Sequence, residues 1–130
     1  GTKDHQPFIH GHNEKLVYDE ISRQFNKQKC YIEVINGVKN HIHVLFLLNP
    51  DLGIREVMKQ VKGASSYYLN KDNRIGHKIY WQKGFGGFSI SESQLVRVRN
   101  YILNQKEHHK KLTFQEEYDL FMEKYGLVNG

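Results

Sequence analysis

CYIEVINGVKNHIHVLFLL, residues 30–48, holds two β-branched and aromatic runs, 30–35 and 41–48, separated by a short polar stretch containing Asn36-Gly37. Runs of this length and composition with Asn-Gly between them read as an antiparallel hairpin, here with a five-residue loop. Alternation along the second run puts His41 and His43 on one face and Ile42, Val44, Phe46 and Leu48 on the other. One face of the hairpin is therefore apolar, and the other carries two imidazoles.

Amphipathic helices flank this hairpin. Upstream, Leu16, Val17, Ile21 and Phe25 recur near a 3.6-residue period and predict a helix over 12–26. Downstream, Ile54, Val57, Met58, Val61, Ala64 and Tyr68 predict a second over 53–70, with Arg55, Lys59 and Lys62 forming a basic outer stripe. KIYWQ (78–82) reads as a strand, and the glycine-rich GFGGFSIS (84–91) closes with another short one. Ser91 with Gln94, and Thr113 with Glu116, are capping-box signatures. They predict helices over 92–109 and from 113 to near 126. The order helix, hairpin, helix, strand, helix, helix matches the second half of a ferredoxin-like β-α-β-β-α-β unit. The fold class expected is α+β, a ferredoxin-like (RRM-like) antiparallel sheet with helices on one face and a further C-terminal helix.

Composition sets the function classes. The 130 residues make one domain, 1–130, with no repeat or low-complexity tract. Nineteen Lys and Arg against fourteen Asp and Glu give a formal charge of +5, and the pI near 9.3 points toward polyanions, nucleic acid first. With 38% apolar and 12% aromatic residues the chain can build a core, which excludes disorder as its description. The longest apolar run, 44–48, is far short of the about 20 residues of a membrane span. No secretory signal is legible at the start, and the single Cys30 cannot form an internal disulfide. A cytoplasmic location without membrane association is expected.

The chemistry gathers on few residues. His41 and His43 sit about 7 Å apart at Cα, from ~3.3 Å of rise per residue, and can converge on one metal ion or simply end a half-buried strand. On the third predicted helix Gln94, Arg97, Tyr101, Gln105 and His108 share a stripe, so Tyr101 falls on the polar side with Gln105 one turn on. Two imidazoles and an amide oxygen leave open positions on an ion. An open metal site beside a hydroxyl suits phosphoryl chemistry. A metal site built on His108 and His109 is a rival, as is a structural zinc site, although no cysteine pairing supports the latter. Arg55, Lys59, Lys62, Lys83, Lys106, Lys110 and Lys111 could contact a DNA backbone or serve as solvated charges. Trp81 and Phe85 could stack on bases or pack in the core, and Cys30 reads as a small buried apolar residue.

NHIHVLF (40–46) resembles the His-hydrophobic-His strand of the HUH endonucleases, and Tyr-x-x-x-Gln at 101–105 followed by KEHHKK resembles the catalytic helix of the single-tyrosine transposases of the insertion sequence 200/605 group. The likeness extends to TKDHQPFI (2–9), VKGASSYYLN (61–70) and WQKGFGGFSIS (81–91). The resemblance implies a transposase acting on the hairpin-containing ends of single-stranded DNA. Tyr101 would attack the scissile phosphate to give a 5′-phosphotyrosine intermediate, with Mg²⁺ or Mn²⁺ held by His41, His43 and Gln105. It further implies a homodimer whose tyrosine helix completes the partner's histidine site, with Gly84, Gly86 and Gly87 before that helix. The same group begins with a sheet strand leading into Thr2-Lys3, and that first strand is expected to be missing from the chain. A domesticated nuclease of chromosomal repeat palindromes would share this chemistry. A non-catalytic ferredoxin-like module binding nucleic acid would need neither His41 nor Gln105 near Tyr101.

Overall fold

A computed structural model describes residues 1–87, 89–109 and 113–125, without the side chains of His108, His109, Phe114, Phe121, Met122, Lys124 and Tyr125. The elements run α1 (Glu14–Lys27), β1 (Tyr31–Val38), β2 (His41–Leu47), α2 (Ile54–Lys71), α3 (Leu95–Leu103), α4 (Gln105–His109) and α5 (Phe114–Tyr125), with 3-10 turns over Lys3–His5 and Glu92–Gln94. The architecture is the α+β class expected, built on a two-stranded antiparallel sheet. A sheet of two strands is consistent with the expected lack of the first one. Among the described residues no helix is long and apolar enough to cross a membrane.

The hairpin is longer and its turn tighter than the sequence suggests. Strand β1 runs on past residue 35 until Val38 pairs with His41, where β2 begins as expected, leaving only Lys39 and Asn40 in the turn. Asn36-Gly37 lies inside β1 because both residues are used there. Asn36 sits opposite His43, and Gly37 sits opposite Ile42 so close that a Cβ would overlap the His41 and Ile42 backbone. The carbonyls of Lys39 and Asn40 accept hydrogen bonds from the backbone N–H groups of Ile9 (3.0 Å) and Thr2 (2.9 Å), so the N-terminal segment fixes the turn.

A bulge in β1 between Ile32 and Val34 decides which residues face which side. Ile32 and Ile35 both join Ile42, Val44 and Phe46 against α1 and α2, where Val17, Ile21, Phe25, Val57, Val61 and Leu69 make the main core. Val34 is turned to the opposite face, where it packs with Val98, Ile102, Leu45, Ile90 and Tyr101. Helices thus cover both faces: α1 and α2 on the apolar one, α3 and α4 on the histidine one. Phe25 meets Phe46 with ring centroids 4.6 Å apart in the larger cluster.

The expected strand at 78–82 is reduced to a single antiparallel bridge, Thr2 with Trp81, flanked by hydrogen bonds from Lys3 N to Tyr80 O (2.8 Å) and from Gln82 N to Gly1 O (2.9 Å). The second short strand expected before residue 91 does not form among the described residues. Trp81 packs against the main core, its indole N–H donating to Ser65 Oγ at 2.9 Å, and Cys30 is fully buried, both as small-core readings anticipate.

The helix expected over 92–109 is divided at Asn104. The Ser91–Gln94 capping box forms, with Ser91 N donating to Gln94 Oε1 at 3.0 Å. At the other end the Asn36 carboxamide donates to Ile102 O (2.9 Å) and Leu103 O (3.1 Å). These are carbonyls that a helix end leaves without partners, and satisfying them from β1 lets α3 stop there. The second capping box also forms: Thr113 Oγ1 accepts from Glu116 N at 3.2 Å and starts α5.

Candidate metal centre and its tyrosine

Strand β2 delivers His41 and His43 to one face, as period-two alternation requires, with ring centroids 5.4 Å apart and nearly perpendicular. The orientation of His41 is fixed from behind. Its Nδ1 donates to Asn40 Oδ1 at 2.8 Å, which leaves Nε2 of the neutral ring with a lone pair aimed into the site. Gln105, the first residue of α4, comes over this face from the side, and its Nε2 donates to His41 Nε2 at 3.2 Å. His41, Gln105 and Glu117 are each no more than 1% exposed, whereas the His43 side chain keeps 20%.

Glu117, from the first turn of α5, is the member of the cluster that the sequence reading does not contain. Its Oε1 accepts hydrogen bonds from His43 Nε2 and Gln105 Nε2 and lies 3.7 Å from His41 Nε2. Burial alone would push this carboxyl up, but contacts with His41, His43 and Gln105 outweigh it and hold the group well below the usual carboxylate range. Nothing local marks Glu117 as a site residue, because it reaches the strand across 74 positions of chain. The Thr113–Glu116 box was the available signal: it places residue 117 in the first turn of a helix, and α5 then turns that position inward.

The donor atoms of His41, His43 and Glu117 all lie within 4.8 Å of one another, a spacing at which one ion can be shared. Two further oxygens test the fit. Gln105 Oε1 and Glu117 Oε2 are buried with no hydrogen-bond partner among the described residues. An unpaired buried acceptor costs about 1–3 kcal/mol, and a cation is what two such oxygens beside two imidazole nitrogens would accept. Two imidazoles, a carboxylate and an amide oxygen form a mixed N/O set suited to Mn²⁺, Zn²⁺ or Mg²⁺. The residues present fit a divalent ion.

Tyr101 approaches the cluster from α3, its ring centroid 6.4 Å from that of His43 and edge-on to it. Arg97 of the expected polar stripe is exposed, but Tyr101 is not on a solvated face. The ring is half-buried and packs on the Val34–Val98–Ile102 cluster, which turns it toward the strand. Arg99 on the same helix pairs with Glu33 of β1 at 2.8 Å. Structure thus brings His41, His43, Tyr101 and Gln105 together.

The basic residues are distributed differently. Arg55 and Lys59 stand exposed on α2, and Lys83 is exposed after Trp81. Lys62 is half-buried and its ammonium donates to the carbonyls of Gln82 (2.5 Å) and Gly84 (2.6 Å), tying α2 to the glycine-rich passage. Lys106 donates to Glu14 Oε1 (2.7 Å), Asn36 Oδ1 (2.9 Å) and Gly37 O (3.2 Å), tying α4 to α1 and β1. Lys110 and Lys111, and the side chains of His108 and His109, lie outside the described residues. A cavity of about 220 Å³ adjoins His43 beside β2, lined among others by Phe46, Trp81, Phe85, Gly86 and Tyr118.

Comparison with known proteins agrees with this geometry. Among solved structures the chain is similar to that of a "putative transposase" from Deinococcus radiodurans R1, at 19% identity and a TM-score of 0.60, over 80% of this chain and 84% of that one. That likeness concerns the fold. No curated protein matches the chain. The family described as "Transposase IS200 like" matches residues 1–105, a span that contains the histidine strand, the tyrosine helix and Gln105. The chain belongs to the IS200-like transposase family.

Proposed function

We propose that this transposase is a metal-dependent single-stranded DNA endonuclease and strand transferase in which Tyr101 is the nucleophile. The observation that carries the reading is the edge-on approach of the Tyr101 ring to His43, 6.4 Å between centroids, beside the buried donors of His41, Gln105 and Glu117. His41, His43 and Gln105 hold the ion, with Glu117 as a further oxygen donor, and Mg²⁺ or Mn²⁺ is the cofactor. When bound, the ion supplies a Lewis acid that draws negative charge from the phosphate oxygens.

The protein's own groups do the remainder. Tyr101 gives up its phenolic proton and attacks phosphorus. The P–O3′ bond breaks, the 3′ oxygen takes up a proton, and a 5′-phosphotyrosine is left. Phosphodiester exchange conserves the bond type, so reversal onto another 3′-hydroxyl rejoins strands without a nucleotide. Asn40 keeps the His41 lone pair on the site. Packing of α3 on Val34 keeps the phenol near the cluster.

The substrate in this reading is the hairpin-containing end of a single-stranded element, and exposed Arg55, Lys59 and Lys83 are its backbone contacts, with Lys62, Lys106 and Lys110 as further basic contacts. Residues 1–130 act as one domain, in the cytoplasm, and a homodimer exchanging tyrosine helices is the family's arrangement. Incubating the protein and Mn²⁺ with single-stranded DNA carrying the palindromes that flank its gene is expected to yield a protein–DNA adduct stable on denaturing gels. Tyr101→Phe is expected to abolish the adduct while still binding Mn²⁺. An adduct that persists in that variant removes Tyr101 as nucleophile.

A further inference from the structure

Glu117 and Tyr118, consecutive residues at the start of α5, close on the site in two ways. Glu117 places its carboxylate among His41, His43 and Gln105, with Oε2 buried and lacking a hydrogen-bond partner among the described residues. Tyr118 lays its ring on Gly86, where any Cβ would overlap the ring, and together with Gly86 and His43 it lines the adjoining cavity. With α5 so placed, His41, Gln105 and Glu117 are at most 1% exposed. While the helix stays, those three donors are closed to solvent and His43 alone of the cluster is partly open. Yet a phosphodiester is the closest chemical counterpart of what already sits there: both are singly charged oxygen anions, and both suit the same position on a hard divalent ion.

We propose that Glu117 is an exchangeable ligand and α5 a latch. In the resting protein the Glu117 carboxylate occupies the place that the scissile phosphate takes, and single-stranded DNA displaces it and lifts the first turn of α5 from Gly86. The exchange makes and breaks no covalent bond. With an ion bound, one phosphate oxygen would take the place of one Glu117 carboxylate oxygen, and the charge delivered to the site would stay the same. The backbone start of α5 is closed by its own capping box, Thr113 with Glu116, so what the lifted turn gives up at the site is the side-chain contacts of Glu117 and Tyr118. The inference rests on the metal-centre reading above, and it differs from that reading in assigning Glu117 to the resting state alone.

The two are separated by measuring Mn²⁺ affinity by titration calorimetry, DNA affinity by fluorescence anisotropy with a randomised single-stranded pool at saturating Mn²⁺, and hydrogen exchange over residues 113–120. Glu117→Gln, which keeps volume and hydrogen bonding, and Glu117→Ala are compared with wild type. In the absence of DNA both variants are expected to bind Mn²⁺ more weakly, by about tenfold, yet to bind the DNA pool several-fold more tightly. In wild type, Mn²⁺ is expected to slow exchange over 113–120 and the DNA pool to reverse that protection. Loss of DNA affinity in step with Mn²⁺ affinity makes Glu117 a permanent ligand and overturns the latch. Unchanged Mn²⁺ affinity in both variants removes Glu117 from the ion and overturns it equally. His41→Ala distinguishes the levels: if it leaves Mn²⁺ binding intact, the metal centre itself fails, and if it abolishes binding while either Glu117 result above is found, only the latch fails.

Discussion

Asn40 contributes no atom to the cluster of donors, yet it decides which nitrogen of His41 faces it. Its Oδ1 can only accept from His41 Nδ1, at 2.8 Å, so the neutral ring must present Nε2 unprotonated to the site. Asn40→Ala is expected to leave the hairpin turn intact, because that turn is held by backbone carbonyls. The variant should weaken Mn²⁺ binding by about 10–100-fold, as loss of an orienting partner does elsewhere, with unchanged far-ultraviolet circular dichroism. Calorimetry with Mn²⁺ checks it, and an affinity equal to wild type would mean that packing alone orients the ring. The histidine pair and Gln105 are legible in the sequence because their relations are local, period two on a strand and four residues on from Tyr101, although the helix expected to carry both divides between them at Asn104. Glu117 is not, since what brings it to His43 is the docking of α5, a tertiary event that leaves no mark on residues nearby in sequence.

At the scale of elements, the end of α3 shows the same division between local and distant causes. Both capping boxes are readable three residues at a time, and both form. The break at Asn104 is not readable, because no Gly or Pro stands there. Its cause is Asn36, whose carboxamide donates to Ile102 O and Leu103 O from the neighbouring strand while its Oδ1 accepts from Lys106. The same use of Asn36 explains why Asn36-Gly37 is strand and not turn. Asn36→Ala removes two donors from the helix end and one acceptor from Lys106. It should lower stability by about 1–3 kcal/mol in a denaturant titration, with the larger part from the Ile102 carbonyl, which belongs to a buried residue. Asn36→Asp keeps the acceptor for Lys106 but loses the donors, so it should be no better than alanine if the carbonyl bonds dominate.

For the whole molecule, the bulge at residues 32–34 divides the interior into two unequal parts on either face of one hairpin. The main cluster beneath α1 and α2 holds the fold, and the small one of Val34, Val98 and Ile102 holds the tyrosine helix to the histidine strand. The two should respond differently to truncation. Phe25→Ala, in the main cluster against Phe46, should cost about 3–5 kcal/mol and raise hydrogen exchange throughout the chain. Ile102→Ala should cost about 2–5 kcal/mol against a smaller cluster, and the cost should appear first as local opening. Amides of α3 and α4 would then exchange faster while those of α1 and β1 keep their wild-type protection. A uniform rise in Ile102→Ala would show that the sheet transmits the loss between its faces as one cooperative unit. A rise confined to α3 and α4 would show that the tyrosine helix can leave its strand without unfolding the body that carries His41 and His43, a freedom that the proposed strand transfer would use.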